Sequence, residues 1–333
     1  MRAIFLCKRE KEVQRVYAGD VVARLRALVS LDEKIYTKED VTAAPAAFAD
    51  VEIILSTWGM PTFAEEEIAA CFPRLKCVFY AAGTVQAFAR PFLARGVKVF
   101  SAWAANAVPV AEYTVAQILL ANKGFFAQTR LLQAQRLEDA KARMARTCGN
   151  YGARVGLVGC GMIGSMVAER LKAYRLDVAA YDPFLTEERA AALGVTRVEP
   201  EELFSTCSVV SNHLANNEQT KGMINGKLLE KLVPYATFLN TGRGAQVVED
   251  DLVGVLAARP DLTAVLDVTH PEPPVPNHPF YSLPNCFLTP HIAGSLGDEV
   301  VRMAEYMAQE LSAYLAGEPT KYEVSEKMLE TMA

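Results

Sequence analysis

Short apolar runs alternate with amphipathic stretches over the first hundred residues of the chain. Runs of this length predict buried strands, and apolar residues at helical spacing predict helices between them. The predicted strands cover residues 3–7, 51–55, 76–80 and 97–100, and two of the predicted helices cover residues 21–28 and 64–71. The pattern therefore predicts an α/β structure for this part of the chain.

The alternation resumes after Arg154 with stronger strands. Helical stretches separate most of these runs, which favours a parallel, doubly wound sheet covered on both faces. The predicted strands cover residues 155–158, 178–181, 208–212, 236–240, 264–268 and 286–289. Two long helices flank them, at 109–123 with Pro109 in the first turn and Gly124 at the stop, and at 298–315 before Gly317.

Composition narrows the class of protein. Of the 333 residues, 51% are hydrophobic and 22% are charged, with a formal net charge of −5, which is typical of a globular protein. Without a Lys/Arg-rich run, nucleic acid is a poor partner. No apolar stretch is long enough to predict a membrane span. The seven cysteines are scattered and form no metal-ligand spacing, so we expect no metal site and a reducing cytoplasm.

A glycine motif, Gly159-Cys160-Gly161-Met162-Ile163-Gly164, directly follows the strand at 155–158 and opens a predicted helix. In this context the three glycines permit a tight turn, close approach of a pyrophosphate and close helix packing, while the helix N-terminus attracts phosphate. Asp182 ends the next strand, 18 residues after Gly164, where a carboxylate would accept a hydrogen bond from a ribose 2′-hydroxyl. The same charge would repel a 2′-phosphate, so the sequence predicts NAD(H) rather than NADP(H).

Three further polar residues follow apolar strands: Arg243, Glu272 and His291. Open α/β sheets bind ligands at the carboxyl ends of their strands. An arginine can hold a carboxylate through two hydrogen bonds, a histidine can exchange protons near neutrality, and a carboxylate beside it would orient the ring and favour its charged form. Beside a nicotinamide, these roles predict the interconversion of 2-keto and 2-hydroxy acids, with His291 as general acid and base.

The chain resembles the D-isomer-specific 2-hydroxyacid dehydrogenase family over nearly its whole length. Besides the glycine motif, the resemblance rests on Asn240-Thr241-Gly242-Arg243-Gly244, Leu266-Asp267-Val268 with Glu272-Pro273, and Thr289-Pro290-His291-Ile292-Ala293-Gly294. It implies that Arg243, Glu272 and His291 are catalytic. It also implies cofactor contacts by Gly159, Gly161, Met162, Ile163, Gly164, Asp182, His213, Thr220, Thr241, Gly242 and Asp267.

The resemblance also implies an architecture. A Rossmann domain at 105–296, which binds NAD, would be inserted in a smaller flavodoxin-like α/β substrate domain made of 1–104 and 297–333. Gly83 and Thr84 would bind the substrate carboxylate together with Arg243, and the Rossmann domain would form a homodimer. One departure is Ala215, where the family commonly has proline.

Two alternatives stay open at this stage. One is a formate-dehydrogenase-like enzyme, which Glu272 argues against because glutamine normally stands there. The other is a binding protein that senses the dinucleotide on the same fold. Trp58, Tyr80 and Phe88 receive no role, since aromatic residues are more often core than pocket. The sequence does not indicate which 2-keto acid is bound.

Overall fold

In the computed structural model, which describes residues 1–330, the chain divides into two compact units. Residues 1–107 and the described residues from Ser295 onward form the first unit, and Val108–Gly294 forms the second. The sequence analysis expected the divisions after residues 104 and 296. In the structure they fall after residues 107 and 294, and one continuous helix, Trp103–Asn122, runs through the first of them.

The strands, in chain order, are β1 (Arg2–Leu6), β2 (Ser30–Tyr36), β3 (Val51–Ser56), β4 (Cys77–Tyr80), β5 (Lys98–Ser101), β6 (Tyr151–Val158), β7 (Arg175–Tyr181), β8 (Thr196–Arg197), β9 (Val209–Asn212), β10 (Thr237–Asn240), β11 (Thr263–Leu266), β12 (Cys286–Leu288) and β13 (Glu323–Val324).

The α-helices, in chain order, are α1 (Glu10–Val16), α2 (Val21–Leu28), α3 (Lys38–Ala43), α4 (Glu65–Cys71), α5 (Ala89–Ala94), α6 (Trp103–Asn122), α7 (Phe125–Gln133), α8 (Leu137–Met144), α9 (Met162–Leu171), α10 (Glu187–Leu193), α11 (Pro200–Thr206), α12 (Gly226–Leu229), α13 (Glu249–Ala258) and α14 (Val301–Ala316).

The first unit is built on a six-stranded sheet with the strand order β13-β5-β4-β3-β1-β2. Its pairings are parallel except for β13, which runs antiparallel to β5. The apolar pattern does not predict β2, because this edge strand carries Asp32, Glu33 and Lys34 and is largely accessible to water. An edge strand has one free side, so charges there are tolerated.

The second unit is a seven-stranded parallel sheet with the order β12-β11-β10-β9-β6-β7-β8. Two hydrophobic cores lie in this unit, and successive residues of β10 belong to different ones. Phe238 packs with residues of α11–α13, and Leu239 packs with residues of α6 and α9. Side chains alternate across a strand, so these are the cores on the two faces of the sheet. This arrangement is the doubly wound fold that the sequence predicts.

Two predicted helix starts are wrong by several residues. Helix α6 begins at Trp103 rather than at Pro109, which lies inside it. A proline inside a helix removes one hydrogen bond. The preceding turn includes Ala104, Ala105 and Ala107, which are all buried, and burial supports that turn. Helix α14 begins at Val301 after a 3-10 turn at Gly297–Val300, and Gly317, whose φ is +69°, caps its C-terminus.

Within residues 1–330, no helix combines the length and apolar character needed to cross a membrane. Over the same residues, no group of three or more His, Cys, Asp and Glu side chains could hold a metal ion.

Glu249, the first residue of α13, supports the loop that leads to Glu272. Its Oε1 accepts a hydrogen bond from the His270 amide at 2.8 Å. Burial, aided by the nearby charge of Asp250, raises the pKa of the Glu249 carboxyl to about 7, although the His270 contact opposes the shift. The loop is thus held by a half-buried group that titrates near neutrality.

We expect Glu249→Gln to change how stability depends on pH. The ordinary pKa of this carboxyl is 4.5, so between about pH 4.5 and 7 the unfolded chain loses its proton while the folded chain keeps it. The wild type should therefore lose stability as pH rises through this window, by about 1 kcal/mol after allowance for partial solvent screening. The variant should lack this loss.

Urea unfolding at pH 5, 6, 7 and 8 measures the difference between the two proteins. Glu188→Gln, which removes an exposed acid from α10, serves as the control and should follow the wild type. Parallel stability curves for wild type and Glu249→Gln would contradict the assignment.

Candidate functional site

One row of paired residues fixes the edge of the second sheet. The row runs through Tyr181, Val158, Asn212, Asn240, Leu266 and Leu288, each paired with the next across neighbouring strands. Parallel strands all end on the same side, so the residues after this row lie at one edge. They are Asp182, Gly159, His213, Thr241, Asp267 and Thr289.

The glycine loop leaves no room for side chains at two of its three glycines. Gly159 has a φ of +95°, and a Cβ there would lie 2.8 Å from the His213 carbonyl. A Cβ on Gly164 would lie 2.0 Å from the Gly159 oxygen. By contrast, a Cβ on Gly161 would meet no atom within 4 Å, so open space lies in front of that residue. This is the geometry that lets a phosphate approach the backbone.

Helix α9 begins beside this space with Met162 and Ile163, and no side chain caps its N-terminus. The first amides of a helix lack partners within it and carry a partial positive charge. Open space at Gly161, uncapped amides and an acidic residue at the end of β7 together fit the dinucleotide that the sequence predicts.

Asp182 lies against the glycine loop. Its Oδ2 accepts a hydrogen bond from the Cys160 amide at 2.7 Å, and its Oδ1 accepts one from the Phe184 amide at 2.8 Å. The sequence analysis missed Arg189 on α10, whose Nη2 lies 2.6 Å from the Cys160 carbonyl oxygen and 2.8 Å from Ser165 Oγ. No local pattern marks it, because the fold of α10 brings it back to the loop.

His213 is buried at the end of β9, and its Nε2 lies 2.9 Å from Ser211 Oγ. Burial lowers the pKa of its ring to about 3, so the ring is neutral near pH 7. Among the described residues, its Nδ1 has no hydrogen-bond partner. Thr220 closes a turn, with its hydroxyl 2.6 Å from the Ala215 carbonyl oxygen. The cofactor contacts of both residues stay predictions.

The Asp267 carboxylate holds the loop that carries His291. Its Oδ1 accepts hydrogen bonds from Thr289 Oγ1 at 2.6 Å and from the Ile292 amide at 2.8 Å, while Oδ2 accepts one from the Ala293 amide at 2.9 Å. His291 itself has a φ of +55°, a conformation uncommon for a residue with a side chain. The Asp267 contacts on both sides of it support that backbone. The nicotinamide contact inferred from the resemblance stays a prediction.

The structure brings His291 and Glu272 into direct contact. The His291 Nδ1 lies 2.5 Å from Glu272 Oε1, and both side chains are partly open to water. A carboxylate on one ring nitrogen fixes the ring orientation and leaves Nε2 free to exchange a proton. The two residues were predicted from separate strand ends, and the fold joins them.

Arg243 lies in the loop after β10, together with Thr241 and Gly242. Its Nη1 donates to the Gly242 carbonyl oxygen at 2.8 Å. Burial lowers the pKa of the Arg243 guanidinium, and the negative charge of Glu272 partly offsets that shift. The guanidinium therefore lies within the electrostatic reach of the Glu272 carboxylate. The Thr241 hydroxyl lies 3.1 Å from that of Thr114 on α6.

Gly83 and Thr84 lie in the first unit, just beyond the end of β4. The Gly83 carbonyl oxygen accepts a hydrogen bond from Ser101 Oγ at 2.5 Å. Their substrate contact stays a prediction. Of the aromatic residues left without a role, Tyr80 and Phe88 are buried with their ring centroids 4.9 Å apart, and Trp58 packs under Arg15.

The chain matches a family model over residues 115–293, described as the NAD binding domain of D-isomer specific 2-hydroxyacid dehydrogenases. It is 31% identical over 234 residues to a D-3-phosphoglycerate dehydrogenase from Archaeoglobus fulgidus. That alignment covers 69% of this chain and 43% of the relative. It is 30% identical over 256 residues to a glyoxylate reductase from Korarchaeum cryptofilum, covering 76% and 77% of the two chains.

Among solved structures, D-mandelate dehydrogenase from Rhodotorula graminis superposes with a TM-score of 0.81 at 19% identity, over 98% of this chain and 97% of the other. That likeness shows the fold. The chain spans about half the length of the D-3-phosphoglycerate dehydrogenases that it matches. The family model covers the strands and loops that carry the candidate site, and we conclude that the chain belongs to the D-isomer specific 2-hydroxyacid dehydrogenase family.

Proposed function

We propose that the protein is an NAD-dependent oxidoreductase that interconverts 2-keto acids and D-2-hydroxy acids. The observation that carries the proposal is the 2.5 Å contact between His291 and Glu272 at the edge of the sheet that also carries the glycine loop. A protein that only senses a dinucleotide does not require a histidine paired with a carboxylate, so this contact favours the enzyme over that alternative.

In this proposal the nicotinamide, when bound, supplies or accepts a hydride at carbon 2 of the substrate. His291 gives a proton to the substrate oxygen during reduction and takes it back during oxidation. Glu272 holds the ring in one orientation through Nδ1. His291 is thus the general acid in the direction of reduction and the general base in the direction of oxidation.

Arg243 binds the substrate carboxylate in this proposal. A guanidinium presents two parallel donors that match the two carboxylate oxygens, and its charge also polarises the adjacent carbonyl. Because Arg243 is largely buried and has no ion pair of its own among the described residues, an anionic substrate would compensate its charge. This fits a substrate whose carboxylate is next to the reacting carbon.

The names of the relatives suggest a panel of substrates for the first test. NADH absorbance should fall with at least one of glyoxylate, pyruvate, hydroxypyruvate, phosphohydroxypyruvate and a branched 2-keto acid. His291→Ala should then lower kcat by about 10²- to 10⁴-fold, because general acid catalysis usually contributes that much. Glu272→Gln should cause a smaller loss, since it removes the charge and keeps the shape.

His278→Ala is the matched control. His278 lies six residues beyond Glu272 in the connection between β11 and β12, where its ring accepts a hydrogen bond from the Phe280 amide, and its removal should leave kcat unchanged. Turnover of no member of the panel would favour the dinucleotide-sensing protein. A kcat for His291→Ala within about threefold of the wild type would exclude His291 as the general acid.

We also propose that Asp182 selects NAD(H) over NADP(H). Asp182→Asn keeps one acceptor oxygen for the loop amides and removes the charge that would repel a 2′-phosphate. We expect the Kd of 2′,5′-ADP, measured by calorimetry, to fall by about tenfold or more, since like charges a few ångströms apart repel by more than 1 kcal/mol. The cation to receive that phosphate would be Arg189, so adding Arg189→Ala should cancel the gain.

Glu188→Gln controls for a general change of surface charge, because it removes an exposed negative charge from the first turn of α10. It should leave the Kd of 2′,5′-ADP unchanged. Equal use of NAD and NADP by the wild type would contradict the role of Asp182.

We propose that the second unit forms a homodimer. Large apolar side chains are exposed along α6, α7 and α8: Leu120, Phe125, Leu132, Leu137 and Met144. Such a row of exposed apolar groups is typical of an interaction surface. The supporting observation is that these side chains follow one another along consecutive helices of the same unit.

We expect Leu132→Glu with Leu137→Glu to shift the protein from dimer to monomer in sedimentation equilibrium, because two charges would be buried without partners. Tyr281→Glu, which charges an exposed aromatic site outside these helices, should leave the mass unchanged. A wild-type protein that sediments as a monomer at micromolar concentration would contradict the proposal.

A further inference from the structure

Three side-chain amides are buried at the ends of β9 and β10. Asn212 is the last residue of β9, Asn240 is the last residue of β10, and Gln246 ends the 3-10 turn Gly244–Gln246 that follows. None of them is more than 1% exposed. Burying an amide destabilises a protein unless each of its polar atoms has a hydrogen-bond partner. The hydrogen bonds of these three side chains, the amide network, therefore determine whether their burial is tolerated.

The three amides bond to one another in a single orientation. Asn212 Nδ2 donates to Asn240 Oδ1 at 3.0 Å and to Gln246 Oε1 at 2.6 Å. Asn212 Oδ1 accepts from the Leu214 amide at 3.2 Å, which fixes which side of this amide donates. Each donor faces an acceptor, and such satisfied buried networks are rigid.

The amide network also binds the backbone of two loops. On one side, Gln246 Nε2 donates to the carbonyl oxygens of Leu214 and Ala215 at 2.7 and 2.9 Å. On the other side, Gln246 Oε1 accepts from the Arg243 amide at 3.1 Å. One side chain therefore connects the loop after His213 with the loop that carries Arg243.

Asn240 completes the second loop. Its Oδ1 accepts from the Gly242 amide at 3.0 Å, and its Nδ2 donates to the Arg243 carbonyl oxygen at 3.2 Å. A Cβ on Gly242 would lie 2.7 Å from Gln246 Oε1 and 2.9 Å from Asn212 Nδ2, so the loop packs directly on the amides. Arg243 is thus bonded through both its amide and its carbonyl group.

We infer that Asn212 and Gln246 are positioning residues, which hold the substrate-binding Arg243 in fixed register with the cofactor-lining loop at 213–215. The inference rests on the proposed function, because it takes Arg243 as the carboxylate ligand. Neither side chain touches the reacting atoms. Their effect is on the relative placement of two groups, and a displacement of about 1 Å can cost roughly 10²-fold in rate.

The test compares Gln246→Met with a buried amide elsewhere in the same unit. Asn285 is 1% exposed and donates to the carbonyl oxygens of Leu256 and Arg259 at 3.0 and 3.2 Å, outside the candidate site. Asn285→Leu should lower Tm as Gln246→Met does, since each leaves one carbonyl group, that of Leu256 or that of Leu214, without its side-chain donor. Only Gln246→Met should also lower kcat/KM for the keto acid, by about 10- to 100-fold, and weaken NADH binding.

Asn212→Leu tests independently whether the amide network positions Arg243. Combining it with Gln246→Met makes a double-mutant cycle. The losses in kcat/KM should be clearly non-additive, because either substitution removes the bond from Asn212 Nδ2 to Gln246 Oε1 that the two side chains share. If Gln246→Met does not fold, Asn212→Leu alone is compared with Asn285→Leu by the same measurements.

The inference would be overturned by Gln246→Met or Asn212→Leu proteins that lose stability while kcat/KM and the Kd of NADH, measured by fluorescence quenching, stay within about threefold of wild type. This outcome is distinct from failure of the proposed function, in which the wild type turns over no keto acid. In that case the inference is still tested by the Kd of NADH, which should rise for Gln246→Met and stay unchanged for Asn285→Leu.

Discussion

The shared register of the second sheet is the constraint on which the candidate site depends. Six parallel strands end on one row, from Tyr181 on β7 to Leu288 on β12, so the residues that follow are brought to one edge although they are up to 130 positions apart in the chain. A shift of one strand by a single residue would turn its side chains to the opposite face. Continuous burial on both faces of β9, β10 and β11 prevents such a shift, because each face packs against its own layer of helices.

Beyond this row, buried polar groups rather than apolar packing determine the shape of the loops. The Asp267 carboxylate supports the backbone on both sides of His291, and the amide network binds the backbone amides of Gly242 and Arg243. A buried polar atom without a partner costs free energy comparable to a lost hydrogen bond, so alternative loop conformations are disfavoured. The apolar core thus fixes where the strands end, and the polar groups fix how the chain continues.

The sequence predicts the parts of this site that depend on local order. The glycine loop, Asp182, Arg243, Glu272 and His291 each follow an apolar run, and parallel strands necessarily collect such residues at one edge. It does not predict contacts that depend on packing between distant segments. Gln246 meets Leu214, 32 positions away, and Arg189 meets Cys160, 29 positions away. The apolar pattern likewise misses β2, because that strand carries charged residues. It misses the first turns of α6 because Pro109 predicts a helix start, whereas burial of the neighbouring alanines extends the helix back to Trp103.

The buried ring of His213 has a consequence for how this edge of the sheet responds to acid. With a pKa of about 3, the ring carries no charge at any pH a cell reaches, and the amides of Asn212, Asn240 and Gln246 carry none at all. These buried side chains at the ends of β9 and β10 therefore keep the same charge when the surroundings acidify. Under the proposed function, the loop that would hold the dinucleotide and the loop that carries His291 follow different strands, so each can be altered by its own substitutions.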